Sequence, residues 1–315
     1  MSTKMAILTI LALIATMFVC SGEASKVLVL GSGGLIGTGL TTWLKDNNYS
    51  VEEVKNRRHV DLRIPGALNY LDASNISFVF FLACEVGGSK YIDGTNTQLE
   101  IVESNVRIYQ TVFDWIKLNR KPFIFTSSYL QSQSTSYGSI KRLGEQWINS
   151  LPPSLSQNNE GGKSARLWNV YGPERLGPRS HVLGDWINSC ITTKTIQSMT
   201  NGLEYRQFLH VNDTARALGL MMENYDSLDS ITDISSGIWW QMTDIATLIA
   251  NNSPRNCIYK FSAKSAVTRL KVDPNLETPF HHRYWNPLNI INITDGVKGM
   301  FKYYMSIHPQ THDEL

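Results

Sequence analysis

The sequence predicts an α/β fold, a doubly wound parallel sheet with a smaller C-terminal substrate-binding lobe. Three observations carry that prediction. Apolar runs of strand length alternate with helix-period segments through the first half of the chain. The first run, Lys26-Val27-Leu28-Val29-Leu30, opens directly into the glycine-rich turn Gly31-Ser32-Gly33-Gly34-Leu35-Ile36-Gly37. Residues 77–83, Ser-Phe-Val-Phe-Phe-Leu-Ala, are apolar almost without interruption, as a parallel strand covered on both faces requires.

In chain order, Gly31, Gly34 and Gly37 suit a tight strand-to-helix turn whose backbone can approach a pyrophosphate at the positive end of the following helix. Leu35 and Ile36 open that helix, which the pattern carries to about Asp46. A plain glycine-rich turn would look similar in isolation. The strand before it and the helix after it favour a Rossmann-type dinucleotide site. The second strand, residues 50–55, ends in Asn56-Arg57-Arg58. No acidic residue stands there to bind the ribose hydroxyls of NAD, and arginine accommodates the 2′-phosphate of NADP. NADP is therefore the expected cofactor, NAD the alternative. Asp61 and Leu62 follow, placed to reach the adenine edge. Leu82 and Ala83 end the third strand, and the loop Cys84-Glu85-Val86-Gly87-Gly88 lies at the carboxyl edge, where such sheets bind ligands.

A helix over residues 97–119 carries Ile101, Asn105, Ile108, Val112 and Ile116 on one stripe. Asn105 there is either a satisfied core amide or part of a polar relay. The strand over residues 122–126 delivers Ser127 and Ser128. Tyr137 and Lys141 follow on a helix reaching about Asn149, four residues apart and so on one face. The lysine charge is expected to draw the phenol below its ordinary value of about 10, as a general acid/base requires. A serine hydroxyl nearby can hold the oxygen undergoing chemistry. After a polar loop at 151–162, the strand over residues 165–168 ends at Asn169 and Val170. Helices are expected at 242–251 and 295–305. Adjacent His281 and His282 point apart on any regular element and make no metal site. The division expected is a leader at 1–24, a dinucleotide-binding domain at 25–170 with its sheet completed by later segments, a substrate lobe at 171–308 and a tail at 309–315.

The 315 residues are 42% hydrophobic and 18% charged, ordinary for a folded protein. A net charge of +2 gives no reason to expect nucleic acid as a partner. Lys4, the apolar run 5–20 and the small polar residues 21–25 read as a cleaved signal peptide, with an uncleaved anchor as the alternative. The terminal His312-Asp313-Glu314-Leu315 is an HDEL address read by the HDEL receptor. Together they predict residence in the endoplasmic reticulum lumen, with no membrane span after cleavage. Cys84, Cys190 and Cys257 remain after the leader, so at least one is free or bonded to another chain. Glycosylation sequons stand at Asn48, Asn75, Asn212, Asn251 and Asn292, with Asn212 expected to be enclosed.

With these residues in place the chain resembles the extended short-chain dehydrogenase/reductase family of nucleotide-sugar epimerases, dehydratases and reductases. The resemblance rests on Gly31, Gly34 and Gly37, on Leu82-Ala83, on Thr126-Ser127-Ser128, and on Tyr137 with Lys141. It continues through Asn169-Val170-Tyr171-Gly172-Pro173 and residues 206–213, Arg-Gln-Phe-Leu-His-Val-Asn-Asp. Residues 82–88, Ser180-His181-Val182 and Phe208-Leu209-His210-Val211 are most similar to the GDP-L-fucose synthase branch.

The resemblance implies an NADP-linked enzyme, expected as a homodimer, acting on a nucleotide sugar that this branch would make GDP-linked. Tyr137 would donate the proton, Lys141 would orient the cofactor ribose and Ser128 would hold the keto oxygen, although the short segment between Ser128 and Tyr137 leaves Ser127 as the alternative. Asn169 and Val170 would touch the cofactor. His181 would act as acid/base near the sugar, Arg206 would grip the diphosphate, Arg269 could reach a phosphate, and Val86 and Gly87 would wall the sugar. Where family members carry a carbon acid/base, this chain has Tyr129 and Leu130, neither suited to take a proton from carbon. Oxidation or reduction at sugar C4 is then the safer chemistry than a full 3,5-epimerisation with reduction. A family member with decayed catalysis, acting as a binding protein, and a reductase of a non-sugar ketone are the alternatives.

Overall fold

The computed structural model describes residues 25–151, 162–265 and 289–307. The leader, most of the polar loop, Arg269, His281, His282 and the HDEL tail lie outside the described residues.

The strands are β1 (Lys26–Leu30), β2 (Ser50–Val54), β3 (Ile76–Phe81), β4 (Phe123–Ser128), β5 (Lys163–Leu167), β6 (Asn169–Tyr171), β7 (Thr195–Gln197), β8 (Tyr205–His210), β9 (Ile231–Ile234), β10 (Trp239–Gln241) and β11 (Ile258–Lys260). The helices, in chain order, are α1 (Leu35–Asp46), the single turn α2 (Ser89–Ile92), α3 (Gln98–Asn119), α4 (Ser136–Asn149), α5 (Val182–Thr192), α6 (Val211–Glu223), α7 (Met242–Asn252) and α8 (Ile293–Ile307). Six parallel strands form one sheet in the order β2-β1-β3-β4-β5-β9. The order reverses between β1 and β3, and the crevice beyond the strand ends at such a switch is where open α/β sheets bind ligands.

Side-chain alternation covers both faces of this sheet. Val27, Val29, Phe78, Phe80 and Ile124 pack under α1 and α6, against Leu40, Leu44, Ala215 and Leu218. Their neighbours Leu28, Leu30, Val79, Phe81 and Phe125 pack under α3 and α4, against Ile108, Val112, Phe113 and Ile140. Period-two strands buried on both sides account for the continuous apolar runs in the sequence. The predicted stripe on α3 is buried along its length. Asn105 on that stripe is a satisfied core amide: its Oδ1 accepts the Glu85 backbone N–H at 2.8 Å, and its Nδ2 donates to the Glu85 carbonyl at 3.0 Å. It fixes the loop leaving β3.

A third core joins α5, α7 and α8, with Trp186, Ile187, Ile245, Val297 and Phe301 at its centre. A disulfide between Cys190 and Cys257 ties α5 to the approach to β11, and Cys84 is the free thiol among the described cysteines. Strand β6 pairs in parallel with β8, which also pairs antiparallel with β10. Asn212 is exposed rather than enclosed, because it sits at the first turn of α6 with Asp213 and Thr214 taking the buried face. No helix among the described residues is long and apolar enough to cross a membrane.

Candidate active site

A cavity of about 870 Å³ opens along the carboxyl edge of the sheet and runs on between the sheet and the segments that follow β6. At one end stands the glycine turn. Gly31 has φ +92°, and a Cβ there would come 2.8 Å from the Ala83 backbone nitrogen. A Cβ on Gly37 would lie 2.1 Å from the Gly31 carbonyl. Both therefore hold the close approach of turn, helix and neighbouring strand that a side chain would forbid. Gly34 is the N-cap of α1 and supplies no side-chain cap, which leaves the cap function of this helix start to another group. A glycine cradle at an uncapped helix N-terminus fits a dinucleotide pyrophosphate. Leu35, Ile36, Leu62, Leu82 and Ala83 complete this end of the wall.

The basic pair after β2 divides in the structure. Arg57 lines the cavity, but its guanidinium binds the buried Glu85 carboxylate and lies 3.6 Å from Glu100. Arg58 is exposed and does not line the cavity, because the turn after β2 directs it outward. Asp61 is on the wall, yet its carboxylate is gripped by Arg63 at 2.9 and 2.7 Å, which holds its pKa below the ordinary carboxylate value. Its role in the sequence reading, contact with adenine, would have to be shared with that pairing. Glu85 also receives Arg179 at 2.5 Å and the Tyr91 hydroxyl at 2.5 Å. Burial, with the Glu85 bond, pushes Tyr91 up to about 12. Val86 and Gly87 follow Glu85 on the same wall.

The centre of the cavity carries the tyrosine and lysine. Lys141 is buried, its Nζ donates to the Thr126 carbonyl at 2.7 Å and stands 5.7 Å from the Tyr137 ring centroid. The expected lowering of the Tyr137 pKa is not found. Burial raises it, and a hydrogen bond with Ser128 opposes the rise. The physical reason is that desolvation of the phenolate dominates, while the Lys141 Nζ is engaged by the Thr126 main-chain oxygen. Cys84 is itself raised by burial, so it is a thiol and not a thiolate.

Strand alternation separates the two serines. Ser128 faces Tyr137, whereas Ser127 points to the other face and donates to Glu145 at 2.6 Å. Arg166 grips Glu145 through two bonds, at 2.8 and 2.7 Å, closing that buried cluster. Tyr129, next in the chain, stacks on Trp168 with ring centroids 4.8 Å apart and hydrogen-bonds Asn169. Burial raises Tyr129 above 10. Asn169 and Val170 line the cavity beside it.

His181 reaches the wall from the N-terminus of α5. Its backbone N–H donates to Glu174 Oε1 at 2.7 Å and its Nδ1 lies 2.8 Å from Glu174 Oε2. The carboxylate thus fixes the ring and leaves Nε2 as the free ring nitrogen. Arg206, on β8, lines the same wall. Every sequence-predicted site residue among those described lines this cavity except Arg58, and Ser127 does so with its side chain turned away to Glu145. Sequence reasoning missed Glu174, Tyr91, the Arg179–Glu85 pairing and Trp168. Arg179–Glu85 and Tyr129–Trp168 are joined across the chain, while Glu174–His181 and Glu85–Tyr91 are close in sequence but meet through irregular loops that no helix or strand period marks.

The model of the NAD dependent epimerase/dehydratase family matches residues 27–237. A putative GDP-L-fucose synthase 2 from Oryza sativa subsp. japonica is 22% identical, over 90% of this chain and 88% of its own. Among solved structures, a GDP-6-OMe-4-keto-L-xylo-heptose reductase from C. jejuni superposes with a TM-score of 0.75 at 18% identity, covering 90% of this chain and 98% of that one. A GDP-mannoheptose C4 reductase from Campylobacter jejuni with NADP bound gives 0.70 at 20% identity, covering 90% and 99%. At these identities the structural likeness establishes the fold.

Proposed function

The chain belongs to the NAD dependent epimerase/dehydratase family, and on that premise we propose that it is an NADP(H)-dependent nucleotide-sugar reductase acting on a 4-keto sugar at C4. It is an enzyme of the nucleotide-sugar reductase/epimerase kind, and its cofactor is NAD or NADP. The observation that carries the finer reading is Ser128, Tyr137 and Lys141 converging on one cavity with the glycine cradle at its end.

When bound along the cradle, the cofactor supplies the hydride for C4. Tyr137, still protonated at neutral pH because burial raises it, gives its proton to the oxygen that becomes the C4 hydroxyl. Ser128 donates to that oxygen and holds it against Tyr137. Lys141, anchored to Thr126, offers its remaining donors to the cofactor ribose and its charge to the phenolate left behind. His181, oriented by Glu174, serves the sugar hydroxyls, and Arg206 the diphosphate. Arg57 must exchange Glu85 for a 2′-phosphate if it is to select NADP, so the preference over NAD rests on that exchange.

Tyr129 and Cys84 support reduction over epimerisation at C3 and C5. Burial keeps both neutral at pH 7, and a neutral phenol or thiol is a poor base toward a carbon acid. The C. jejuni GDP-heptose reductases share the fold and support the same choice. Residence in the endoplasmic reticulum lumen is part of the proposal. The Cys190–Cys257 disulfide supports it, since such bonds persist in oxidising compartments. The test is NADPH oxidation by purified protein across a set of 4-keto nucleotide sugars. Consumption abolished in Tyr137→Phe is the expected result. Cofactor binding without turnover on any of them would favour a binding protein instead.

A further inference from the structure

Among the described residues, the carboxylates on the cavity wall are Asp61, Glu85, Asp93 and Glu204. All but one are already engaged within the fold. Asp61 is gripped by Arg63, and Glu85 takes Arg57, Arg179 and Tyr91. Glu204 accepts the Thr200 hydroxyl at 2.6 Å, and its other oxygen is buried. Asp93 differs. It is half-buried, and burial penalises its charge and raises its pKa, yet its carboxylate takes no hydrogen bond and no ion pair among the described residues. An acceptor left in that state costs free energy that a ligand donor would recover.

The chain around Asp93 is built to hold it there. Asp93 closes the single turn α2, and the residues on both sides of it are fixed. Gln98 Nε2 donates to the Ile92 carbonyl at 2.9 Å and to the Gly94 carbonyl at 2.7 Å, one on each side. The Thr97 hydroxyl reaches the Tyr91 carbonyl at 2.5 Å. The turn is then tied to the segment that starts α5 and carries His181. Lys90 reaches Asp185 at 2.6 Å, the Gly88 N–H donates to the Arg179 carbonyl at 2.9 Å, and the Arg179 guanidinium lies 4.6 Å from the Tyr91 ring centroid. Neighbouring groups locate the carboxylate further. The charge of Arg206 acts on Asp93, and the carboxylate in turn acts on the Tyr129 hydroxyl. Tyr129 hydrogen-bonds Asn169 and follows Ser128, the serine that faces Tyr137. Asp93 thus serves the stretch of cavity between the residue assigned to the diphosphate and those assigned to the reacting oxygen.

We propose that Asp93 binds the sugar ring of the substrate by accepting hydrogen bonds from its hydroxyl groups; the proposal rests on the nucleotide-sugar reading above. A carboxylate accepts and never donates. A hydroxylated ring supplies the donors it needs, and its two oxygens can span neighbouring hydroxyls. The diphosphate supplies none and is repelled, so Asp93 acts on the sugar while Arg206 acts on the phosphates. Holding the ring by its hydroxyls also fixes which carbon is presented to Tyr137, a positioning effect on which the rate of hydride transfer depends steeply.

Calorimetric titration of protein carrying NADP tests this with sugars that bear a C4 hydroxyl, the product form of the proposed reduction. GDP-mannose is compared with GDP, and UDP-glucose with UDP, so that each difference isolates the sugar. In the wild type the sugar is expected to raise affinity over the free diphosphate by about tenfold or more in at least one pair, the scale of a hydrogen bond to a charged group. Asp93→Asn keeps the size of the side chain and should cut that gain to about threefold or less. The free diphosphates should bind the variant as tightly as the wild type or more so, since a negative charge is removed. NADPH affinity should be unchanged, and the melting temperature should hold or rise, because the folded chain loses no hydrogen bond. A sugar gain that survives Asp93→Asn, no sugar gain in the wild type, or an equal loss of affinity for the free diphosphates would overturn the assignment while leaving the reductase reading in place. Failure of the wild type to bind either nucleotide sugar would overturn that reading, and the assignment with it.

Discussion

Tyr137 holds its proton through neutral pH because its environment is dry, and this suits an acid that gives a proton to a forming alkoxide. Replacing it with Phe removes the donor and keeps the ring. Turnover should fall by about two to four orders of magnitude, with NADPH affinity measured by fluorescence titration unchanged. Ser128→Ala and Ser127→Ala separate the two serines. The first should depress turnover with little change in melting temperature, since Ser128 faces Tyr137. The second should lower melting temperature instead, since it breaks a buried bond to Glu145. If Ser127→Ala is the one that abolishes turnover in a well-folded protein, the assignment is reversed. The sequence showed Tyr137 and Lys141 as neighbours because helical spacing is a local rule. It could not show which serine faces them, because a one-residue ambiguity in a strand flips the face. Nor could it show that Glu174 holds His181 or that Glu85 holds Arg57 and Arg179, since those pairs form through irregular loops or by tertiary approach.

Among the elements, the β1–turn–α1 unit was the most legible, since glycine spacing there expresses a steric requirement that the folded turn repeats. Gly37→Ala would drive a Cβ to 2.1 Å from the Gly31 carbonyl, so the turn must open. NADPH binding should weaken at least about tenfold, in line with the cost of a strained backbone site of about 1–3 kcal/mol. The start of α6 makes a pH-dependent prediction. His210 caps that helix, its Nδ1 accepting the Asn212 N–H at 3.2 Å, and burial lowers its pKa from 6.5 to about 4. Between those values the unfolded chain binds a proton that the folded chain does not, so stability is full above about 6.5 and falls as pH drops toward 4. The contribution at stake is roughly 3 kcal/mol. Urea midpoints across this window should fall less steeply in His210→Asn, which retains a capping acceptor but does not titrate. The boundaries of β4 were less legible: the two serines expected just beyond a strand over residues 122–126 prolong it by pairing with Arg166 and Leu167 of β5.

Across the whole molecule, the parallel sheet was legible because strands buried on both faces leave unbroken apolar runs. The C-terminal region was only coarsely so: its third core is assembled from helices far apart in the chain, and the Cys190–Cys257 bond spans 67 residues. Closing a loop of that length stabilises by about 2–4 kcal/mol. Reduction under native conditions should therefore lower the melting temperature, and Cys190→Ser with Cys257→Ser should reproduce the loss and abolish its dependence on reductant. The cavity joins the two halves, with the cradle and Tyr137 on the sheet and His181, Arg206 and Glu204 from segments beyond β6. The chemistry proposed for this cavity is reduction at C4 without chemistry at C3 or C5. The direct measurement is the fate of label from 4-deuterated NADPH given with a 4-keto GDP-sugar in ordinary water, paired with the reverse experiment in deuterium oxide. Deuterium at C4 of the product in the first, and none at C3 or C5 in the second, is the predicted result. Solvent deuterium at C3 or C5, or no transfer of label to C4, would contradict it.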